Sequence, residues 1–121
     1  MSGLYVVSRI FVGILGFTAL GGVVWFASTL GNTLVLAGLL LGFTSLVAAF
    51  VPQRKLSSSA TQRVLVTLCV LGIGAGFVLV VDNLKVPREI EWDVVSINIL
   101  HIAALATMAV IALKWPRDSA Q

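Results

Sequence analysis

Between Arg9 and Arg54 the chain runs without a single ionisable side chain, and that gap constrains the fold more than any motif does. About 20 apolar residues already cross the hydrocarbon core of a bilayer, so a stretch of this length must cross, turn and cross again. Composition points the same way. The 121 residues are 59% hydrophobic and 11% charged, with a mean hydropathy of +1.07, where a soluble domain carries roughly 25% charged residues. The class is an integral membrane protein.

The turn is readable at residues 28 to 32, STLGN, where Ser28, Thr29, Gly31 and Asn32 combine turn and helix-capping chemistry. The first helix is then expected over about 4–27 and the second over about 32–50, stopped by Pro52. The sequence PQRKLSSSATQR that follows is a polar, basic connector. A third apolar run covers 64–81, and Pro87 excludes a continuous helix through DNLKVPREIEWD. A fourth, over about 94–113, is closed by Lys114, Trp115 and Pro116. The expected fold is all-α, a single four-helix transmembrane domain arranged as an antiparallel bundle.

Orientation follows from Lys and Arg, which keep short loops on the cytoplasmic side. Arg9, the connector residues Arg54, Lys55 and Arg63, and the tail residues Lys114 and Arg117 all fall on one side of a four-crossing chain. The other side has the uncharged turn and a loop with two basic and four acidic residues between Asp82 and Asp93. Both termini are therefore expected in the cytoplasm of a bacterial or archaeal cell, with the protein in its plasma membrane. Tyr5 and Trp115 would mark the inner boundary, Trp25 and Trp92 the outer one. The first apolar run exceeds the usual h-region of about 7–15 residues, and Trp25 and Phe26 spoil a small-residue cleavage site, so it reads as a retained helix.

A net charge of +3 distributed in this way is a topology signal. Nucleic acid is not an expected partner, because no basic stripe with interleaved aromatics is present. The bilayer is, with Arg9, Arg54 and Lys55 as the expected contacts to lipid phosphates. The single cysteine, Cys69, excludes an internal disulfide, a Cys/His metal cluster and two-thiol redox chemistry.

In lipid no hydrophobic force draws helices together, so small residues and interhelical hydrogen bonds must hold them. In the second helix Gly31, Gly38, Gly42, Ser45 and Ala49 lie along one stripe; in the third, Cys69, Gly72 and Gly76 do. Each stripe contains a GxxxG, which serves packing within the chain or, alternatively, a homo-oligomer interface. The segment LGFTAL from Leu15 nearly repeats as LGFTSL from Leu41. Counted outward from the turn, Gly16 and Gly42 lie at like depth, so the two segments should meet.

The only histidine, His101, sits within INILHIAAL, residues 97 to 105. Intramembrane ionisable groups default to functional hypotheses with a named partner. His101 and Asn98, three apart on one helix face, could converge with Asn32, Thr33 and Asp82 on a polar ligand pocket below the outer surface. The plainer reading is an imidazole hydrogen-bonded to Asn98 or to a neighbouring helix. No cofactor is predicted; one histidine per chain gives one axial ligand, so a haem would have to be shared between two chains through His101. No metal site and no catalytic residues are expected, and every carboxylate lies at a boundary or in a loop, which weakens proton-coupled transport.

Small multidrug exporters and dimeric fluoride channels share this size and plan, but helix 1 lacks a membrane-centre Glu and helix 2 a Gly-Asn-rich signature. The sequence therefore reads as a non-enzymatic multi-pass protein, an accessory or assembly subunit packing against other membrane subunits or itself. The alternative is a small oligomeric transporter or channel with its polar site near His101.

Overall fold

The computed structural model describes residues 2–26, 32–85 and 92–115. Four helices carry the chain: α1 (Ser2–Phe26), α2 (Asn32–Ala49), α3 (Ser59–Lys85) and α4 (Trp92–Lys114), with a short 3-10 turn over Gln53–Ser57 between α2 and α3. All four are long and apolar enough to cross a membrane. Apart from Asn32, the turn expected at 28 to 32 lies outside the described residues, as do residues 86–91 and the tail beyond Trp115.

The third and fourth helices extend past the apolar runs that announce them. The third starts at Ser59, not Val64, because Ser58 caps it: its backbone is extended (φ −82°, ψ 128°), its Oγ accepts from the Thr61 amide at 3.4 Å, and its carbonyl accepts from the Gln62 amide at 3.0 Å. A hydrophobic run marks where lipid begins, whereas a cap marks where the backbone ladder begins. At its other end α3 continues through Asp82 to Lys85, and α4 opens at Trp92 with Asp93 in its first turn and Lys114 in its last, the polarity that suits a helix macrodipole.

Packing runs around a ring. The α1–α2, α2–α3 and α3–α4 pairs are each extensively in contact, and α1 closes against α4. The core holds Val12, Leu41, Leu65, Cys69, Leu105 and Met108, all fully buried. Outward the bundle shows Phe17, Trp25, Phe43, Phe50 and Trp92, the apolar surface a bilayer requires.

Glycine sets how close the helices come. A methyl group built on Gly16 would fall 2.8 Å from Ser45 Cβ and 3.2 Å from the Gly42 carbonyl oxygen; one on Gly42 would meet Leu20 at 2.5 Å and the Gly16 carbonyl oxygen at 3.1 Å. The two glycines thus lie face to face. Gly38 accommodates Val23, Gly72 accommodates Leu105 and Thr44, and Gly76 accommodates Ile102. Gly3, Gly21, Gly22 and Gly74 face open space. Both GxxxG stripes are filled from within the same chain.

Candidate functional site

His101 lies on α4 midway along the bundle, 1% exposed. Its Nε2 is 2.7 Å from Ser45 Oγ on α2. In the ring of helices α2 and α4 stand diagonally opposite, so this bond crosses the centre of the bundle. Small residues make room for it: Gly16 lets α1 close over Ser45, and Gly72 lets Leu105, one turn beyond His101, sit against α3. The hydroxyl donates when the imidazole carries its proton on Nδ1 and accepts when the proton is on Nε2.

A serine and a histidine at hydrogen-bond distance are two parts of a nucleophile-and-base arrangement, but the surroundings supply nothing further. Ser45 is fully buried. Neither of the cavities described below reaches the pair. The described carboxylates, Asp82 and Asp93, lie toward the far ends of α3 and α4. A haem shared between two chains would need this imidazole on the outside of the bundle; it faces Ser45 instead. Among the described residues no three His, Cys, Asp or Glu side chains group as metal ligands.

The other polar residues read from the sequence are placed elsewhere. Asp82 and Thr33 come together on a cavity of about 380 Å³, whose remaining lining is Phe77, Val78 and Val81. Asn32 is exposed at the start of α2; the thirteen residues from Asn32 to Ser45 put it about 20 Å along the axis from His101's partner. Asn98 is half-buried one turn before His101, yet the imidazole's hydrogen bond goes to Ser45 and not to it. Two separate polar places therefore stand where one pocket was expected, an outer one at Thr33–Asp82 and a central one at Ser45–His101.

The end that carries the connector is knitted by side chains. Tyr5 donates to the Val51 carbonyl at 2.8 Å and packs its ring against Trp115 at 5.8 Å between centroids. Gln62, 1% exposed, donates through Nε2 to the Leu56 carbonyl at 2.6 Å and the Trp115 carbonyl at 3.2 Å. Arg9 Nε donates to the Ala49 carbonyl at 2.8 Å, satisfying one of the orphan carbonyls at the C-terminus of α2. Arg9 thus ties two helices together in addition to any contact with lipid; Arg54 and Lys55 are exposed on the 3-10 turn.

Ser45 and Gln62 are the residues that sequence reasoning passed over as partners. Ser45 stood in the glycine stripe as a small packing residue, and Gln62 in a polar connector. The available signal was that a lone histidine within an apolar helix needs a hydroxyl or amide at similar depth, and Ser45 is one of few that qualify. No family model matches the chain, and no curated protein and no solved structure matches it either, so its function is argued from these residues.

Proposed function

We propose that the chain is a non-catalytic multi-pass subunit, crossing the membrane four times as an antiparallel bundle with both termini in the cytoplasm, and packing against a larger membrane complex or against copies of itself. One observation carries this reading. Among the described residues, no buried side-chain nitrogen or oxygen lacks a hydrogen-bond partner within the chain, while the outward surface is rich in Phe and Trp. Buried polar groups that bond within the chain serve to hold its own helices together, and the surface that remains suits lipid and other helices.

The register of contacts supports antiparallel crossing: Gly16 meets Ser45, Leu20 meets Gly42, and Val23 meets Gly38. The excess of Lys and Arg at the connector supports cytoplasmic termini. The transporter or channel reading retains one supporting feature, the cavity at Thr33 and Asp82, and would operate there instead of at His101.

Purifying the tagged full-length chain in mild detergent and weighing it by native mass spectrometry tests the assignment. A fixed ratio of this chain to another membrane protein, or a discrete self-assembly that passes no solute in liposomes, is the expected result. Solute flux lost in Asp82→Asn would overturn it in favour of a transporter. In the same cells, cysteines placed at 83 to 92 should label from outside and those at 56 to 60 should not; the reverse inverts the orientation.

A further inference from the structure

Arg9 lies six residues into an apolar span that begins at Gly3, and a cation at such a position requires partners. Its guanidinium is held from two sides, by Nε on the Ala49 carbonyl at 2.8 Å and by the Tyr5 ring, with Cζ 5.9 Å from the centroid. Among the described residues no carboxylate pairs with it and its Nη hydrogens have no acceptor. The Arg9 side chain borders a cavity of about 180 Å³ lined also by Val6, Ile10 and Ala49, well above the ~10–15 Å³ that one water needs. Val6 and Ile10 are exposed on the apolar surface, so the groove opens toward lipid.

We infer that this groove is a site for one anionic phospholipid, whose phosphate takes the Nη hydrogens of Arg9 while an acyl chain lies along Val6 and Ile10. A fixed guanidinium fork matches the geometry of a phosphate oxygen pair. Free phosphate would leave the apolar walls uncovered, and a zwitterionic lipid, whose phosphate is already balanced by its own ammonium, would leave the net positive charge of Arg9 and of the exposed Arg54 and Lys55 uncompensated. The difference from a generic basic residue at a membrane boundary is that here the side chain has a fixed partner: its Nε donates to the Ala49 carbonyl of α2. The inference rests on membrane embedding alone and is independent of the subunit role proposed above.

The test is native mass spectrometry of the full-length chain in mild detergent with equal amounts of phosphatidylglycerol and phosphatidylcholine. One phosphatidylglycerol per chain should be retained in preference to phosphatidylcholine, and Arg9→Gln should weaken retention at least about tenfold, the loss of a charge-assisted pair. Arg9→Lys should weaken it too, because an ammonium lacks the fork; retention equal to wild type would show a freely snorkelling charge and overturn the site. Ile10→Trp, which fills the groove from the lipid side and leaves Arg9 in place, should also release the lipid while far-ultraviolet helicity stays unchanged. Equal retention of both lipids, or displacement by inorganic phosphate, would overturn the assignment, whether or not a protein partner is found.

Discussion

The segments LGFTAL in α1 and LGFTSL in α2 begin alike and end with different work to do. Phe17 and Phe43 both point outward, 74% and 65% exposed, and Gly16 and Gly42 meet face to face. From there they part. Thr18 is exposed and returns its hydroxyl to the Ile14 carbonyl at 2.9 Å, whereas Thr44 is buried beside Gly72 and bonds the Leu40 carbonyl at 2.7 Å. Ala19 is partly buried; Ser45 is fully buried and holds His101. The difference comes from the neighbours, since 22% of an apolar 18-residue stretch of α1 is buried inside the protein against 39% of the 18 residues of α2, with α2 flanked extensively on both sides. In lipid, where any apolar residue is at home on the outside, the helix's place in the ring decides which of two near-identical segments becomes core.

The largest effect should come from breaking the backbone contact that the two segments share. At Gly16 and Gly42 the obstruction includes helix backbone, which cannot rotate away, so Gly16→Leu or Gly42→Leu should destabilise the bundle by about 3 kcal/mol or more, the upper end of overpacking. Gly72→Leu, against Leu105 and the Thr44 hydroxyl, should follow closely, and Leu39→Ala, at a partly exposed position, should cost much less. Gly21→Leu and Gly74→Leu, where nothing stands within 4 Å of an added methyl, should behave like wild type. Unfolding midpoints in mixed detergent rank the set; equal tolerance at Gly16 and Gly21 would mean that close backbone approach does not hold α1 to α2.

What the sequence made legible was what depends on one dimension. Absence of charge over residues 10 to 53 requires a fold-back whatever the packing, and four apolar runs become four helices because backbone groups in lipid must bond within their own segment. The glycine stripes were legible because helical spacing alone puts Gly38 and Gly42, or Gly72 and Gly76, on one side. The destination of His101 was not. Whether the imidazole faces Asp82 on α3 or Ser45 on α2 depends on how α4 is rotated about its axis, and a rotation of one residue (~100°) would send it to a different helix. The knitting of Tyr5, Gln62 and Trp115 escaped for the same reason, because its acceptors are carbonyls of other segments, which no sequence pattern marks.

A smaller effect sharpens the contrast at the last differing position. Ser45→Ala removes the partner of a buried imidazole and should cost about 0.6 kcal/mol, with about 1.7 kcal/mol as the ceiling measured for such bonds between membrane helices. Ala19→Ser, the reciprocal change, should be nearly silent, since a hydroxyl there can return to its own helix as Thr18 does. His101→Gln should preserve assembly and His101→Leu cost modestly, and in the double variant the two losses should not add, leaving a coupling of about 0.6 kcal/mol. Strict additivity of Ser45→Ala and His101→Leu would show that the 2.7 Å bond contributes nothing to stability and would reopen a role for His101 beyond holding α2 to α4.

The smallest effect distinguishes the two threonines. Each hydroxyl bonds a carbonyl one turn back in its own helix, at 2.9 Å for Thr18 and 2.7 Å for Thr44, and such bonds slightly weaken the helix that hosts them. Replacement by Val therefore removes little in either case. At Thr18 the second methyl faces the exterior, so Thr18→Val should stay within about 0.5 kcal/mol of wild type. At Thr44 the hydroxyl occupies the space that the missing side chain of Gly72 leaves, in a buried seam where a methyl has less room to relax than at the surface, and Thr44→Val should be the more destabilising by about 1 kcal/mol, the lower end of overpacking. Matched unfolding titrations of the two variants decide it. Equal effects would mean that the α2–α3 seam yields at Gly72 and that the near-repeat differs only through Ser45; a larger effect at Thr18 would reverse which copy of the segment lies in the core.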